Sequence, residues 1–465
     1  MTSHVLPSGP PLPEHRLPEH RLPEHLVELR RRWTERLEQE LPAAVALRHE
    51  LHRYPDLSGA EAPTTARVVA AIGIGEGETV ADTGRVLRIG PAGPAVGVRA
   101  ELDALPLVEA TGAAFAATGA AMHACGHDVH LAALCALARA AVGLDLPAGL
   151  VLVLQPREEV GPTGAQDVVA AGTLPSLDVR YLIGAHLQPL LPAAVVTADP
   201  GPVNAGVDEI EIEVTGRGGH GAYPHLAHDP VPALCRIVLA LQDAVRAAVD
   251  PLQPAVVSIT QLEGAGAPNV IPGLARAAGT VRTMRPQDAA ALHAWSGRLV
   301  EQLAAAHGCT GRYLIRRGEP ALDNDPALAR AASGWLASAG QASGSFASCG
   351  SDDFATYGPQ LPILMLFVGS TESGGRAADA GEGGDGEVVD GDAADGYAAD
   401  GYATDGDATD GDATDGGLPH RPMLHDPRFL PADQRIRDVA IALMCGWLAG
   451  VQLLGASGAI TERNS

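Results

Sequence analysis

The chain lacks any paired cysteine spacing. Its six cysteines, Cys125, Cys135, Cys235, Cys309, Cys349 and Cys445, are scattered; this argues against a disulfide framework and for a reducing, cytoplasmic setting. The first residues, Met1-Thr-Ser-His-Val-Leu-Pro, have neither a charged n-region nor an apolar h-region, so nothing in them directs export. Positive charge is also scarce. With 32 Lys and Arg against 56 Asp and Glu the net charge is -24, which disfavours nucleic acid and anionic membranes as partners. About 13 of those charges fall in one segment, 371–420, an Asp/Gly/Ala/Thr tract too poor in large apolar residues to pack. Pieces such as Asp405-Gly-Asp407 have a calcium-loop flavour, but no spacing continues to a Glu ligand. A flexible acidic insertion is expected there. One apolar stretch, Val439 to Ile460, is long enough to span a bilayer, yet it reads equally as a buried terminal helix whose exposed first turn is Arg435-Ile-Arg437-Asp438.

At 465 residues the chain exceeds one hydrophobic core, so two domains are expected. A tandem repeat, Pro13-Glu-His15-Arg-Leu and its copies at His20 and His25, opens residues 1–25, where recurrent proline forbids a regular helix. Globular sequence starts near Leu26, with a helix through Trp33 and Leu37 to about His49. Short apolar runs at Ala95–Leu102, Leu150–Gln155, Arg180–Ala185 and Pro362–Val368 suit central strands, and helical patterns separate the first three. An α/β catalytic unit with a central mixed sheet is expected over 26–203 and 314–465. Between these halves, Val207 to Val214 alternates strictly, as a strand with one wet face does. It opens a small α+β unit over 204–313, with helices near Pro232–Ala248 and Asp288–His307 and strands near Ala255–Leu262 and Ala275–Thr283.

The densest chemistry lies in Met122-His123-Ala124-Cys125-Gly126-His127-Asp128-Val129-His130. Thiolate and neutral imidazole are favoured zinc ligands; Cys125 and His127, two apart in an extended segment, point the same way. Asp128 is a candidate cap for the helix announced by the following Leu131-Ala-Ala-Leu pattern. Pro156-Arg157-Glu158-Glu159 follows an apolar strand, where open α/β sheets place their sites. There, one carboxylate can bind metal while its neighbour serves as a base. His186 ends another apolar strand, and His425 follows the acidic tract. By itself a histidine of this kind is more often a satisfied core residue than a ligand.

These segments, with Gly216 to His225, Asn269-Val-Ile-Pro272, Gly279-Thr-Val-Arg282, Gly350-Ser-Asp-Asp-Phe354 and Leu424-His425, stand in one family's order. The chain resembles the metal-dependent amidohydrolases that include hippurate, N-acyl-amino-acid and indole-acetyl-amino-acid hydrolases, relatives of aminoacylase and the dizinc carboxypeptidases. The resemblance runs from about Leu47 to Leu443. It implies a ferredoxin-like lid and dimerisation domain and two divalent ions per subunit, zinc or manganese, with cobalt and nickel compatible. The implied ligands are Cys125 (bridging), His127, Glu159, His186 and His425, with Glu158 as general base. His123 and His130 are left as supporting residues. Asp103 would orient a ligand histidine, and His220 would stabilise the oxyanion, often from the partner subunit of a homodimer. Asn269 and Arg282 would hold the carboxylate of an N-acyl amino acid substrate. Asp352 departs from the Glu usual in the family.

Three rival readings remain. A dipeptidase or carboxypeptidase of the same superfamily differs only in substrate. An inactive metal-binding regulatory relative would have no use for an unligated Glu158. The string Gly216-Arg-Gly218-Gly-His-Gly221 satisfies the dinucleotide fingerprint, but Pro224 and Pro230 delay the helix that should begin among its glycines.

Overall fold

The computed structural model describes residues 22–264, 267–372 and 421–458. Most of the N-terminal arm, and the acidic segment beyond Glu372, lie outside the described residues. The first helix, Glu24–Arg53, begins two residues inside the expected arm. Its buried stripe, Leu26, Leu29, Trp33, Leu37, Ala44, Leu47 and Leu51, repeats every three to four residues until Pro42 interrupts it, as an amphipathic helix requires.

The large sheet has eight strands in the order Glu78–Val80, Gly84–Ile89, Gly149–Gln155, Ala95–Glu101, Val179–Pro192, Ile363–Thr371, Val195–Thr197, Ala342–Ser343. The four central strands are parallel to one another, and antiparallel partners flank them, so the sheet is mixed as expected. Alternation along the central strands sorts their side chains between two cores. Val96, Val98, Leu150, Leu152, Leu154, Leu364 and Leu366 face one layer, with Trp33 and Trp447. Val151, Val153, Leu182, Ile363, Met365 and Phe367 face the other, with Phe354 and Tyr357. Each fully buried Val or Leu contributes about 1.5–3 kcal/mol relative to exposure. Arg99, Glu101 and Gln155 fall on the second face. These are the polar exceptions in otherwise apolar strands.

Within 206–317 the elements run strand, helices, strand, strand, helix, strand. The sheet is fully antiparallel, in the order Ala255–Gly264, Leu274–Thr283, Gly206–Thr215, Thr310–Arg317. Helices Pro230–Leu241, Ala244–Ala248 and Pro286–Ala306 cover one face through Leu234, Ile237, Leu292 and Val300. The last strand ends at Arg317 rather than near Tyr313, and the single helix expected over Pro232–Ala248 is broken in two. Because Gly206–Thr215 is antiparallel to both neighbours and no α-helix follows it before Pro230, Gly216 to Gly221 cannot serve as a dinucleotide loop.

The terminal helix, Gln434–Ala456, meets the length and hydropathy of a membrane span, yet 78% of its apolar window is buried inside the protein. Its glycines explain how. A Cβ at Gly446 would lie 2.5 Å from Ile183 Cγ2 and one at Gly450 2.8 Å from Val96 Cγ2, so the helix rests directly on the sheet. The expected exposed first turn is instead half internal, with Arg435 and Asp438 buried and paired at 2.7 Å. Cys235 is exposed and Cys349 half-buried, while the other four cysteines are buried.

Asp128 does not cap its helix. The helix His127–Ala141 is preceded by Gly126, and the Asp128 carboxylate, inside the first turn, accepts from Arg48 Nε at 3.1 Å and pairs with His52 Nδ1 at 3.0 Å. Burial would raise its carboxyl, but the Arg48 charge and His52 outweigh this and hold it far below the usual carboxylate range. Replacing Arg48 with Met is expected to lower unfolding stability at pH 7 by about 3–5 kcal/mol in urea titrations, since Asp128 stays buried and charged. With a depressed folded-state value, this contribution is present above pH ~4 and fades as acid protonates Asp128, so the deficit should shrink at lower pH. A deficit that is independent of pH would contradict the assignment.

Candidate metal centre

Strands Ala95–Glu101 and Gly149–Gln155 run parallel with Glu101 opposite Gln155, so both deliver their following residues to one carboxyl edge. Asp103 comes from the first and Glu158-Glu159 from the second. Arg157 has a left-handed backbone, φ +50°, a conformation that costs a non-glycine residue energy. It turns the two glutamates off the strand axis, and its N–H is held by Glu61 Oε1 at 2.9 Å. His186 lies inside the adjacent strand, which continues to Pro192 rather than ending at the histidine. His127 is the first residue of its helix. Cys125 and His127 are therefore brought together by a turn, not by an extended segment. Gly126 makes that turn at φ +90°, where a Cβ would also stand 2.9 Å from Leu187 Cδ1.

Donor atoms of Cys125, His127 and Glu159 lie within 4.8 Å of one another. Cys125 Sγ is 3.5 Å from His186 Nε2. His127 Nε2 is 4.0 Å from both Glu158 Oε2 and Glu159 Oε1, and His425 Nε2 is 3.5 Å from Glu159 Oε1. All five expected ligands and Glu158 are thus neighbours. The rings are aimed by their other nitrogens. His127 Nδ1 donates to the Asp103 carbonyl at 2.8 Å and His186 Nδ1 to the Leu187 carbonyl at 2.8 Å, leaving each Nε2 free to ligate. Asp103 thus orients His127 through its main chain, while its carboxylate accepts from Glu159 N at 3.0 Å and Ser58 Oγ at 2.7 Å.

His425 follows the acidic segment, yet its position is fixed locally. Its N–H donates to the Ala124 carbonyl at 2.9 Å, Ala110 N–H donates to Pro427 O at 2.8 Å, and Arg48 Nη2 donates to Pro431 O at 2.7 Å. Its backbone is also left-handed, φ +67°. With its side chain 54% exposed, it marks the solvent side of the cluster.

The donor set fits divalent metal. His127 Nε2 and Glu159 Oε1 are buried without a hydrogen bond among the described residues, a state that proteins seldom leave uncompensated. Burial and the carboxylates of Glu159, Glu158 and Glu101 push the Cys125 thiol well above its ordinary range, so a thiolate here calls for nearby cations. Burial, then Glu159, Asp352 and Asp353, also hold Glu158 well above the carboxylate range against the pull of Arg99. Burial would raise Glu159 as well, but His425, His127 and Cys125 reverse it and the net shift is down. Adjacent in sequence, the two glutamates are set apart by their surroundings.

His220 and Asn269 are brought together on the smaller unit. His220 pairs with Val270 across a two-stranded ribbon, and Gly221 N–H donates to Asn269 O at 2.8 Å. Both are exposed, and among the described residues neither bonds to the metal cluster. Arg282 is half-buried and donates to the Cys349 carbonyl at 3.0 Å, tying the small sheet to the loop that carries Asp352 and Asp353.

Sequence reasoning gave no role to the groups behind the cluster. Arg99, fully buried, pairs with Glu101, reaches Asp353 Oδ1 at 2.7 Å and Asp352 Oδ1 at 3.3 Å, and donates to Gln155 Oε1 at 3.0 Å. The available signal was two charges at alternate positions of an apolar strand. Glu101 in turn holds His130 Nδ1 at 2.9 Å.

Residues 97–385 match the model of Peptidase family M20/M25/M40. The chain is 34% identical over 339 residues to an N-acetylcysteine deacetylase of Bacillus subtilis, an alignment covering 70% of this chain and 88% of that one. It is 35% identical over 291 residues to an N-acyl-L-amino acid amidohydrolase of Geobacillus stearothermophilus, covering 60% and 78%. A crystal structure of a Bacillus subtilis protein described as a dinuclear metal-binding peptidase superposes with a TM-score of 0.68 at 26% identity, covering 89% of this chain and 99% of that one. The match spans both strand ends, the one that delivers Asp103 and the one that delivers the glutamates, with the turn carrying Cys125 and His127 and the strand of His186; this chain belongs to Peptidase family M20/M25/M40.

Proposed function

We propose that this protein hydrolyses the amide bond of N-acyl amino acids, using two divalent ions, zinc or manganese, held by Cys125, His127, Glu159, His186 and His425. The observation that carries this reading is the opposed setting of Glu158 and Glu159, one raised and one lowered, 4.0 Å from the same His127 nitrogen. Neighbouring carboxylates driven apart by their environment are suited to different tasks, one to take and give a proton and one to bind metal. Cys125, near the donor atoms of His186, His127 and Glu159, would be the ligand shared by the two ions, which its nearness to all three supports. When bound, the ions would supply an acidified water and a polarised scissile carbonyl.

Glu158 takes the water's proton and passes it to the leaving amine. Asp103 supports this by holding His127 through its carbonyl and Glu159 through its carboxylate. The 206–317 unit has the strand order and connections of a ferredoxin-like fold; we assign it as a lid and as the contact between two copies in a homodimer. From it His220 would reach the reacting carbonyl of a facing site and stabilise the oxyanion. Asn269, beside His220, and Arg282 are assigned to the substrate carboxylate; the tie of Arg282 to Cys349 O sets it beside the loop of Asp352 and Asp353. A cytoplasmic location fits the unpaired cysteines, all six of them free. The intact Glu158 speaks against an inactive relative.

Glu158→Gln is expected to lower kcat by about 10²–10⁴ with metal content unchanged by elemental analysis; undiminished hydrolysis would sink the mechanism. In a panel of N-acyl amino acids and dipeptides, the N-acyl compounds should be turned over faster, and turnover of dipeptides alone would reassign the enzyme as a dipeptidase. His220→Ala should lower kcat by about 10²–10³ with little change in KM, as loss of an oxyanion donor does. A rise in KM alone would move His220 to substrate binding.

A further inference from the structure

His130 has the composition of a metal ligand and the geometry of something else. Its ring lies beside both ligand histidines, that of the turn and that of the neighbouring strand, with centroids 5.7 Å from His127 and 4.7 Å from His186. Donor atoms of Glu101, His127, His130 and His186 all fall within 4.8 Å of one another, so a count of donors alone would make His130 a ligand. Both its nitrogens are engaged. The Leu187 N–H donates to His130 Nε2 at 3.1 Å, so that nitrogen carries no proton and its lone pair is spent. The proton therefore sits on Nδ1, which donates to Glu101 Oε2 at 2.9 Å. Glu101 is fixed in turn through its other oxygen by the Arg99 guanidinium.

The residue that His130 holds is the one that orients His186. His186 Nδ1 donates to the Leu187 carbonyl at 2.8 Å, and that residue's N–H is the group bound by His130. If Leu187 rotates or shifts, the acceptor for His186 Nδ1 moves, and with it the direction of the ligating Nε2. Leu187 has a second constraint, since its side chain occupies the space beside Gly126, the residue between Cys125 and His127.

We infer that Arg99, Glu101 and His130 form a buried positioning relay that fixes the Leu187 main chain and thereby aims His186 at its metal ion. This rests on the metal-hydrolase reading above. His130 is a positioning residue, with no ligand bond of its own, and its requirement is one acceptor and one donor at fixed places. A glutamine side chain offers both. Methionine, flexible and apolar, fills similar space and offers neither.

The test compares full-length wild type, His130→Gln and His130→Met, measuring bound zinc per chain by equilibrium dialysis in zinc-buffered solution, with circular dichroism as the check on folding. Wild type should hold two ions. His130→Met should bind one of them about 10–100-fold more weakly, the usual effect of losing a group that supports a ligand, while the other keeps its affinity; His130→Gln should restore most of the loss. A purely structural role would move both affinities or the fold, and would not be rescued selectively by Gln. The relay is overturned if folded His130→Met binds both ions as wild type does, or if His130→Gln, folded, is as weak as the Met variant. Fewer than two ions in wild type would overturn the binuclear reading itself, and with it the relay.

Discussion

The guanidinium of Arg99 has no access to water and must be neutralised where it stands. Removing a partner from such a buried charge costs several kcal/mol, which fixes the partners as firmly as it fixes the arginine. Glu101 comes from its own strand, Asp352 and Asp353 from the loop before Ile363–Thr371, and Gln155 from the neighbouring strand, so one cation ties together pieces distant in sequence. Asp353 also accepts from Gln155 Nε2 and from the Ala165 N–H after the glutamate turn. The carboxyl edge of the sheet is rigid because of this arrangement, and the catalytic cluster is built on that edge.

Negative charge accumulates in front of that cation. Glu158, Glu159, Asp103 and the thiol of Cys125 crowd a space that Arg99 alone does not balance, and the histidines facing it differ in what they can offer. Burial and the nearby His130 ring push His186 down to about 4. For His127 burial acts in the same sense, but Glu101, Asp103 and Glu159 overcome it and the net shift is upward. Divalent ions would settle this imbalance, which is why the site reads as a metal centre on electrostatics as well as on ligand type.

Much of this was legible in the sequence. Cys125, His127, Glu158 and Glu159 stood out as thiol, imidazole and paired carboxylates near strand ends, His186 and His425 gained their roles only through the family resemblance, and all six are neighbours in space. Apolar runs likewise located the four central strands, three of them to within a few residues, while the one expected over Arg180–Ala185 runs on to Pro192. What escaped had physical reasons. Gly126 converts an apparent extended pair into a turn, through a dihedral angle that no spacing records. Asp128 looked like a cap because it precedes an apolar pattern, but a buried arginine from the first helix claims it. The apolar length of Val439 to Ile460 allowed a membrane span, and only the strands beneath Gly446 and Gly450 show why side chains are missing there. Arg99 and Glu101 were visible as charges in an apolar run, yet two partners of Arg99, Asp352 and Asp353, lie some 250 residues away.

The docking of His425 has a bearing on how this chain tolerates change. Its geometry is set by Ala124, by the pairing of Ala110 with Pro427 and by Arg48 on Pro431, all reached after the acidic segment has been traversed. The connection from Glu372 therefore has to return the chain to a prepared berth and need not carry orientation. The length of this segment is thus nearly free to drift over generations, whereas a single residue added between Ala124 and His127, or between His425 and Pro431, would displace a ligand.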